Sequence, residues 1–260
     1  MSDKSYESIK TLLASTNPNE LHRGLDLVKR EISRVGSKEA KPLFEMVSAV
    51  FYIDPLDHPE LVPILNEAIS LAVGFGDWVI PILLEQLDSG DLKAQMAISH
   101  ALGRIGVDAI GTLMDEYKTS TETAKQTFIL YALGKIKSPK VLMAVHLALE
   151  AAQSPNLELR DTAIRAIGKF TESIPYMDLP DDLRIAIIER LRVGLADSNP
   201  GIRAKAIRSM GKLARHKHLN AEELGELSTR CRQILGKDEN FNWDRAYVVR
   251  KEAEEALGYI

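Results

Sequence analysis

Cysteine is almost absent from the sequence, since Cys231 is the one thiol in 260 residues. A single thiol forms neither an intramolecular disulfide nor a multi-thiolate metal site. Long apolar runs are also lacking, because residues 69–84 are interrupted by glycine, aspartate and proline and fall short of the roughly 20 residues that cross a bilayer. The first residues contain no apolar signal core. We therefore expect a cytoplasmic protein without a membrane segment, stabilised by packing, with Cys231 in its core.

Motifs of catalysis and of cofactor binding are missing as well. The sequence contains no Walker motif, no serine nucleophile elbow and no Cys–His pairing, and Gly74-Phe-Gly76 lacks the third glycine and the preceding strand of a dinucleotide-binding loop. We therefore expect no catalytic residue and no cofactor, and predict that the protein is not an enzyme.

Two short clusters contain residue types that bind metals. Asp54-Pro-Leu-Asp-His-Pro-Glu60 combines carboxylates with a histidine, and His216-Lys-His218 contains alternate histidines. Prolines favour a turn in the first cluster, where Asp57 is predicted to cap a helix. In the second cluster, cations near the C-terminus of a helix are stabilised by the helix dipole. We expect neither cluster to bind a metal.

One short phrase recurs along the chain, with a small residue two positions before a glycine and large apolar residues one before and two after it. These offsets follow the spacing of a helix face and differ from the alternation of a strand. We predict that each phrase ends a helix, and that its small residues let a neighbouring helix approach closely. The copies are Ala101-Leu-Gly-Arg-Ile105, Ala132-Leu-Gly-Lys-Ile136, Ala166-Ile-Gly-Lys-Phe170, Ser209-Met-Gly-Lys-Leu213 and Ala256-Leu-Gly-Tyr-Ile260.

Second amphipathic stretches lie between the phrases, and several begin with helix-start residues such as Asp77, Ser138 and Asn220. No alternating β-branched run occurs, so we predict an all-α protein without β-sheet. The repeating unit is helix, turn, helix, with about seven pairs in a single array over residues 1–260. Residues 1–76 form divergent, acidic repeats, and residues 77–260 form clear ones. The stretches cover residues 78–87, 107–117, 139–151, 181–196 and 221–235.

Residues 195–213, Leu-Ala-Asp-Ser-Asn-Pro-Gly-Ile-Arg-Ala-Lys-Ala-Ile-Arg-Ser-Met-Gly-Lys-Leu, resemble the consensus of HEAT repeats. Arg160, Arg203 and Arg250 occupy the arginine position of that consensus, whereas Gln95 and Gln126 replace it, so the Asp–Arg ladder of the family is incomplete. The shorter repeats, within residues 78–137, are similar to those of phycobilisome-lyase-like HEAT proteins. The resemblance implies a right-handed α-solenoid.

The resemblance also implies a binding surface, because the second helix of each pair lines the concave side of HEAT-like solenoids. We therefore predict a cationic groove that binds a protein with an acidic surface, as in a scaffold, adaptor or assembly factor. A solvated helix face is the alternative interpretation. The predicted groove residues are His100, Arg104, Tyr131, Lys135, Arg165, Lys169, Lys205, Arg208 and Lys212.

Other functions of similar proteins were weighed against the sequence. A tetrapyrrole-chromophore lyase or another cofactor-handling protein is the main alternative. Diiron hydroxylases of the HEAT type are excluded, because no histidine precedes a glutamate. A HEAT-like DNA repair protein is a minor alternative, since a net charge of −4 predicts weak attraction to phosphate. We expect neither nucleic acid nor a small molecule as the partner.

Two further segments stand out by composition. Residues 39–91 contain ten carboxylates and one lysine, an asymmetry that can orient a partner. The polar segment Asn240-Phe-Asn-Trp-Asp244 contains two large aromatic residues, Phe241 and Trp243. We predict that these residues either cover the last helix pair or form an exposed anchor for a partner.

Overall fold

The computed structural model describes residues 3–239 and 243–260, most of which are helical. Among these residues the β-structure is limited to one isolated bridge between Leu235 and Trp243, so the predicted all-α fold is confirmed. The helices are α1 (Asp3–Leu13), α2 (Pro18–Val35), α3 (Lys41–Ala49), α4 (Val62–Val73), α5 (Ile80–Gln86), α6 (Leu92–Ile105), α7 (Ile110–Thr119), α8 (Thr123–Leu133), α9 (Val145–Ala151), α10 (Leu157–Ser173), α11 (Asp181–Leu195), α12 (Pro200–Arg215), α13 (Ala221–Ile234) and α14 (Tyr247–Leu257).

The helices belong to two compact units, one up to Thr119 and one from Ser120 onward. In the first unit, α2, α4 and α6 pack side by side, while α1, α3 and α5 each pack against the helix that follows it. In the second unit, α8, α10, α12 and α14 form one row, and α9, α11 and α13 pack against it. Each unit is therefore a stack of helix pairs. The prediction of a single array from residue 1 to 260 stays a prediction.

The row of second helices in the second unit is held together by small residues. Gly134 lies opposite Ala166, with 3.6 Å between the position of a Cβ on Gly134 and Ala166 Cα. A Cβ on Gly211 would lie 3.3 Å from Ala256 Cβ. The glycine of one phrase thus faces the small residue of the next phrase. The predicted close approach of neighbouring helices is confirmed here.

An incomplete ladder of arginines and aspartates joins the turns of the second unit. Arg160 Nε donates to Asp197 Oδ2 at 3.1 Å, and Arg203 Nε donates to Asp244 Oδ2 at 2.8 Å. Each arginine also donates to carbonyls of its own turn, as Arg203 Nη1 does to Asp197 O at 2.9 Å. At the position where glutamine replaces arginine, Gln126 Nε2 donates to Ser120 O at 3.0 Å. The ladder fixes each helix pair against the next one.

The first helices of several pairs begin with a 3₁₀ turn, at residues 77–79, 106–109 and 139–144. Asn220 caps α13 in a capping box with Glu223, and the Ser138 hydroxyl accepts from Lys140 N, as the sequence predicts. Asp77 is not a cap, because it lies within the 3₁₀ turn and its side chain caps no backbone amide. Asp57 is not a cap either, since α4 begins only at Val62 and no side chain caps it.

Buried side chains fill the space between the two helix layers of each unit. In the first unit, Phe44, Phe75 and Trp78 pack edge to face, with ring centroids 5.3 to 6.0 Å apart. In the second unit, Cys231 is fully buried, and burial raises the pKa of its thiol to about 11. A thiol with so high a pKa is a poor nucleophile at neutral pH. The predicted core position of Cys231 is confirmed.

No single helix among the described residues has the length and apolar character needed to span a membrane. The segments Pro59–Val73 and Asp77–Ser89 meet these criteria only when they are taken together, and the chain bends by 112° between them.

Candidate functional site

The predicted groove residues of the first unit, His100 and Arg104, both lie on α6. Arg104 Nη1 donates to Asn66 O at 2.9 Å and contacts the Ser70 hydroxyl, so its guanidinium binds the neighbouring helix α4. His100 is half-buried. The Arg104 side chain is therefore exposed and also joins the two second helices α4 and α6.

In the second unit, two predicted groove cations are bound by carboxylates of neighbouring helices. Lys205 of α12 contacts the Asp161 carboxylate on α10. Arg208 Nε donates to Glu252 Oε2 of α14 at 2.8 Å, and Glu252 is only 2% exposed. Such pairs join adjacent repeats and neutralise part of the predicted cationic face.

A third group contains two lysines and one glutamate. Lys169 Nζ lies 2.8 Å from Glu172 Oε2, and Lys212 Nζ lies 3.1 Å from Glu172 Oε1. Burial lowers the pKa of Lys212 to about 8, against the opposing effect of the Glu172 carboxylate. Burial alone would raise the pKa of Glu172, but hydrogen bonds from both lysines bring it below its ordinary value. This cluster is a structural contact between α10 and α12.

Two of the predicted groove cations in this unit have no carboxylate partner among the described residues. Lys135 Nζ lies 4.9 Å from the centroid of the Tyr131 ring, and Arg165 Cζ lies 5.4 Å from it. Neither cation forms a salt bridge within the described part of the chain. Cation–π contacts orient a positive charge without neutralising it. Among the predicted groove residues of this unit, the charge that no carboxylate neutralises therefore lies around Tyr131.

The same residues line a shallow cleft between α8 and α10, which is open to solvent and contains about 250 Å³ of unfilled space when the solvent at its mouth is included. Its floor is apolar, with Leu130 and Ala166, and its rim contains Lys135, Arg165 and Lys169. An apolar floor with a positive rim suits a carboxylate that adjoins an apolar group. The structure thus brings four of the predicted groove residues into one cleft and places Lys205, Arg208 and Lys212 in contacts between repeats.

The pairing of the other cations was not predicted from the sequence. Their carboxylate partners come from adjacent repeats, 44 positions away for both Lys205 with Asp161 and Arg208 with Glu252. The glycines of successive phrases, such as Gly168, Gly211 and Gly258, are separated by a similar number of residues. Comparing charges at one repeat length, instead of within one helix, would have identified both pairs.

The predicted aromatic anchor is only partly described. Phe241 lies outside the described residues. Trp243 is 65% exposed, and Arg250 Cζ lies 5.1 Å from its ring centroid. Tyr247, at 72% exposure, lies near the same guanidinium, with its ring centroid 6.0 Å from Arg250 Cζ. The indole of Trp243 is thus at the surface, as the second of the two predictions for this residue requires.

Titratable clusters elsewhere have partners within the chain. Asp54 contacts Lys93, and His58 Nδ1 lies 3.3 Å from Glu60 Oε1. In a further group, which was not predicted from the sequence, ligand atoms of His22, Asp26 and Glu67 lie within 4.8 Å of one another. These three residues can offer a nitrogen and two carboxylates to a metal ion, although His22 Nδ1 already lies 2.7 Å from Glu67 Oε2. The ion pair between His22 and Glu67 is sufficient to explain why these side chains lie close together.

No family model matches the sequence, and no curated protein matches it. Solved structures do resemble the chain. One is from the complex of CpcE and CpcF of phycocyanin lyase from Nostoc sp. PCC7120, 20% identical with a TM-score of 0.55, covering 69% of this chain and 98% of that chain. An importin beta structure is 15% identical with a TM-score of 0.69, covering 96% of this chain and 33% of that chain. An engineered protein is 19% identical with a TM-score of 0.53, and the match covers 100% of this chain and 96% of that chain. At these identities the likeness is one of fold.

Proposed function

The chain has the fold of HEAT-like repeat proteins, as its sequence predicts, and we propose that it is a non-catalytic scaffold that binds an acidic segment of a partner protein. Stacked helix pairs expose extended surfaces that bind other proteins without a reactive centre. The binding face in this proposal is the row of second helices in the second unit, with its centre at the cleft around Tyr131.

One observation carries the proposal. Lys135 and Arg165 flank Tyr131 and have no carboxylate partner among the described residues, whereas Lys205, Arg208 and Lys212 are paired. A half-buried cation that stabilises the fold is normally paired, as Lys205 and Lys212 are. The positions of Lys135 and Arg165 therefore suit contact with a group outside the chain.

The chemistry of the cleft indicates what that group is. Leu130 and Ala166 provide an apolar floor, and the two unpaired cations lie at its rim. An aspartate or glutamate next to an apolar side chain would match both features at once. Tyrosine and arginine are also the residue types that most often dominate binding energy at protein interfaces.

Charge reversal at the cleft tests the proposal. Tagged full-length protein with Lys135→Glu and Arg165→Glu is compared with wild type in affinity purification with quantitative mass spectrometry. We expect the double variant to fold and to lose the stoichiometric partner. Equal recovery of the same partner by the double variant at low salt would contradict the proposal.

A matched control carries the same change of charge on another helix. Arg230 and Arg232 lie on α13, exposed and away from the cleft, and both are changed to glutamate. This control is expected to recover the partner as wild type does. Visible absorbance in the purified wild type would favour tetrapyrrole handling, the alternative function, in place of the scaffold.

A further inference from the structure

The second unit contains a larger cavity on a different side of its repeats. It is open to solvent and lies where the turn before α10 meets α11 and the start of α12, with about 740 Å³ of unfilled space when the open solvent at its mouth is included. Two arginines, Arg160 and Arg190, line it together with apolar groups that include Ile164 and Val193. The cavity contains none of the residues of the Tyr131 cleft.

The two arginines differ in their hydrogen bonding. Arg160 Nε donates to Asp197, and its Nη1 donates to Ser154 O and Pro155 O at 2.7 and 3.3 Å. Arg190 forms no hydrogen bond or salt bridge with any described residue, and its Nε is buried without a partner. Arg160 therefore has a structural role in the turn, and Arg190 has none that the fold requires.

A buried guanidinium nitrogen without an acceptor is unusual, because nearly all buried polar groups in proteins are hydrogen-bonded. Val193, one turn after Arg190, is 62% exposed although it lines the same cavity. The cavity thus brings together a guanidinium nitrogen of Arg190 that has no hydrogen-bond acceptor and the exposed apolar side chain of Val193. We propose that this cavity binds a carboxylate attached to an apolar body, with Arg190 as the residue that binds it.

The choice of a carboxylate follows from the charges in the cavity. A guanidinium presents two parallel N–H donors that match the two oxygens of a carboxylate. Asp197 also lines the cavity and stays paired with Arg160. A doubly charged phosphate would be repelled by this aspartate, and one unpaired arginine does not neutralise it. The apolar body of the ligand packs against the exposed side chain of Val193.

The test observes the Nε–H group of Arg190 by two-dimensional NMR of the full-length protein during titration with three probes. N-acetylleucine mimics the C-terminus of a peptide, 3-methylbutyrate is a free aliphatic acid, and N-acetylleucinamide is the uncharged control. We expect a saturable shift with both acids and none with the amide. Tighter binding of N-acetylleucine assigns the site to a chain terminus, and tighter binding of 3-methylbutyrate assigns it to a free acid.

Two variants complete the experiment. Arg190→Gln is expected to weaken binding of the better acid at least about tenfold. Arg192→Gln removes a neighbouring arginine that pairs with Glu189 and Glu226 outside the cavity, and it is expected to bind like wild type. Absence of a saturable shift with either acid overturns the proposal, and so does an equal shift with the amide. Because the wild-type titration decides by itself, loss of folding in a variant does not obscure the result.

Discussion

Gly168 of α10 lies directly against Ser209 of α12, so that a Cβ on Gly168 would come within 2.7 Å of Ser209 Cβ and 2.9 Å of Ser209 Cα. The Ser209 hydroxyl donates to Ile164 O on the same neighbouring helix at 3.0 Å. The glycine in the middle of α10 is therefore required by the packing of two repeats, at a cost of about 1 kcal/mol in helix propensity relative to alanine.

Changing Gly168 to alanine is expected to destabilise the protein by about 1 to 3 kcal/mol, because the new methyl group overlaps backbone and side-chain atoms of Ser209. Chemical denaturation measures this loss. Gly225 on α13 is the control, since a Cβ there meets no atom within 4 Å, and Gly225→Ala should stabilise the protein by roughly 0.5 to 1 kcal/mol. If both variants were stabilised, the close approach of α10 and α12 would be wrong.

Removal of one ladder arginine should also be costly. Arg203 binds both oxygens of Asp244, and the two side chains are 20% and 14% exposed. Arg203→Gln leaves Asp244 largely buried with fewer donors, so we expect a loss of about 2 to 3 kcal/mol in the free energy of unfolding. Urea titration gives the value.

The control for this prediction is an exposed ion pair. Arg192 pairs with Glu226, and the two side chains are 36% and 52% exposed, so Arg192→Gln should cost less than about 1 kcal/mol. Equal losses for the Arg203 and Arg192 variants would show that the ladder contributes no more than a surface pair.

Burial makes stability depend on pH at His218. It lowers the pKa of this histidine below the ordinary value of 6.5, and the nearby charges of His216 and Arg184 act in the same direction. His218 Nε2 bonds with Thr171 O at 3.0 Å, while Nδ1 is buried without a partner. The folded chain therefore holds fewer protons here than the unfolded chain when the pH lies between the two pKa values.

The sign of the pH effect follows from proton linkage. The contribution of neutral His218 to stability is complete above pH 6.5 and is lost as the pH falls from there toward the lower pKa of the folded state. We expect the stability advantage of wild type over His218→Gln to shrink in this range, as measured by denaturation at several pH values. A difference between wild type and His218→Gln that stays constant over this pH range would refute the effect.

Sequence patterns were sufficient to predict the helices and those contacts between repeats that depend on small residues. The phrase around Gly168 predicts both a helix and close packing, because residue size at a fixed offset is a local property. The Asn220 cap is local in the same way, since its partner Glu223 is three residues away.

The charge of the binding face could not be predicted in this way, because it depends on distant residues. Arg208 looks like a free surface cation within α12, but its partner Glu252 lies in the next repeat. The cavity at Arg190 was missed for a similar reason. It is formed by two turns, the first helix α11 and parts of the second helices α10 and α12, which no single sequence pattern brings together.

Isothermal titration with the purified partner tests the central claim most directly, namely that the Tyr131 cleft is the binding site. We predict that Lys135→Glu with Arg165→Glu weakens binding by about 10-fold to 100-fold at low salt, that added salt weakens wild-type binding, and that Arg230→Glu with Arg232→Glu has no effect. Equal affinity for wild type and the cleft variant at low salt would contradict it.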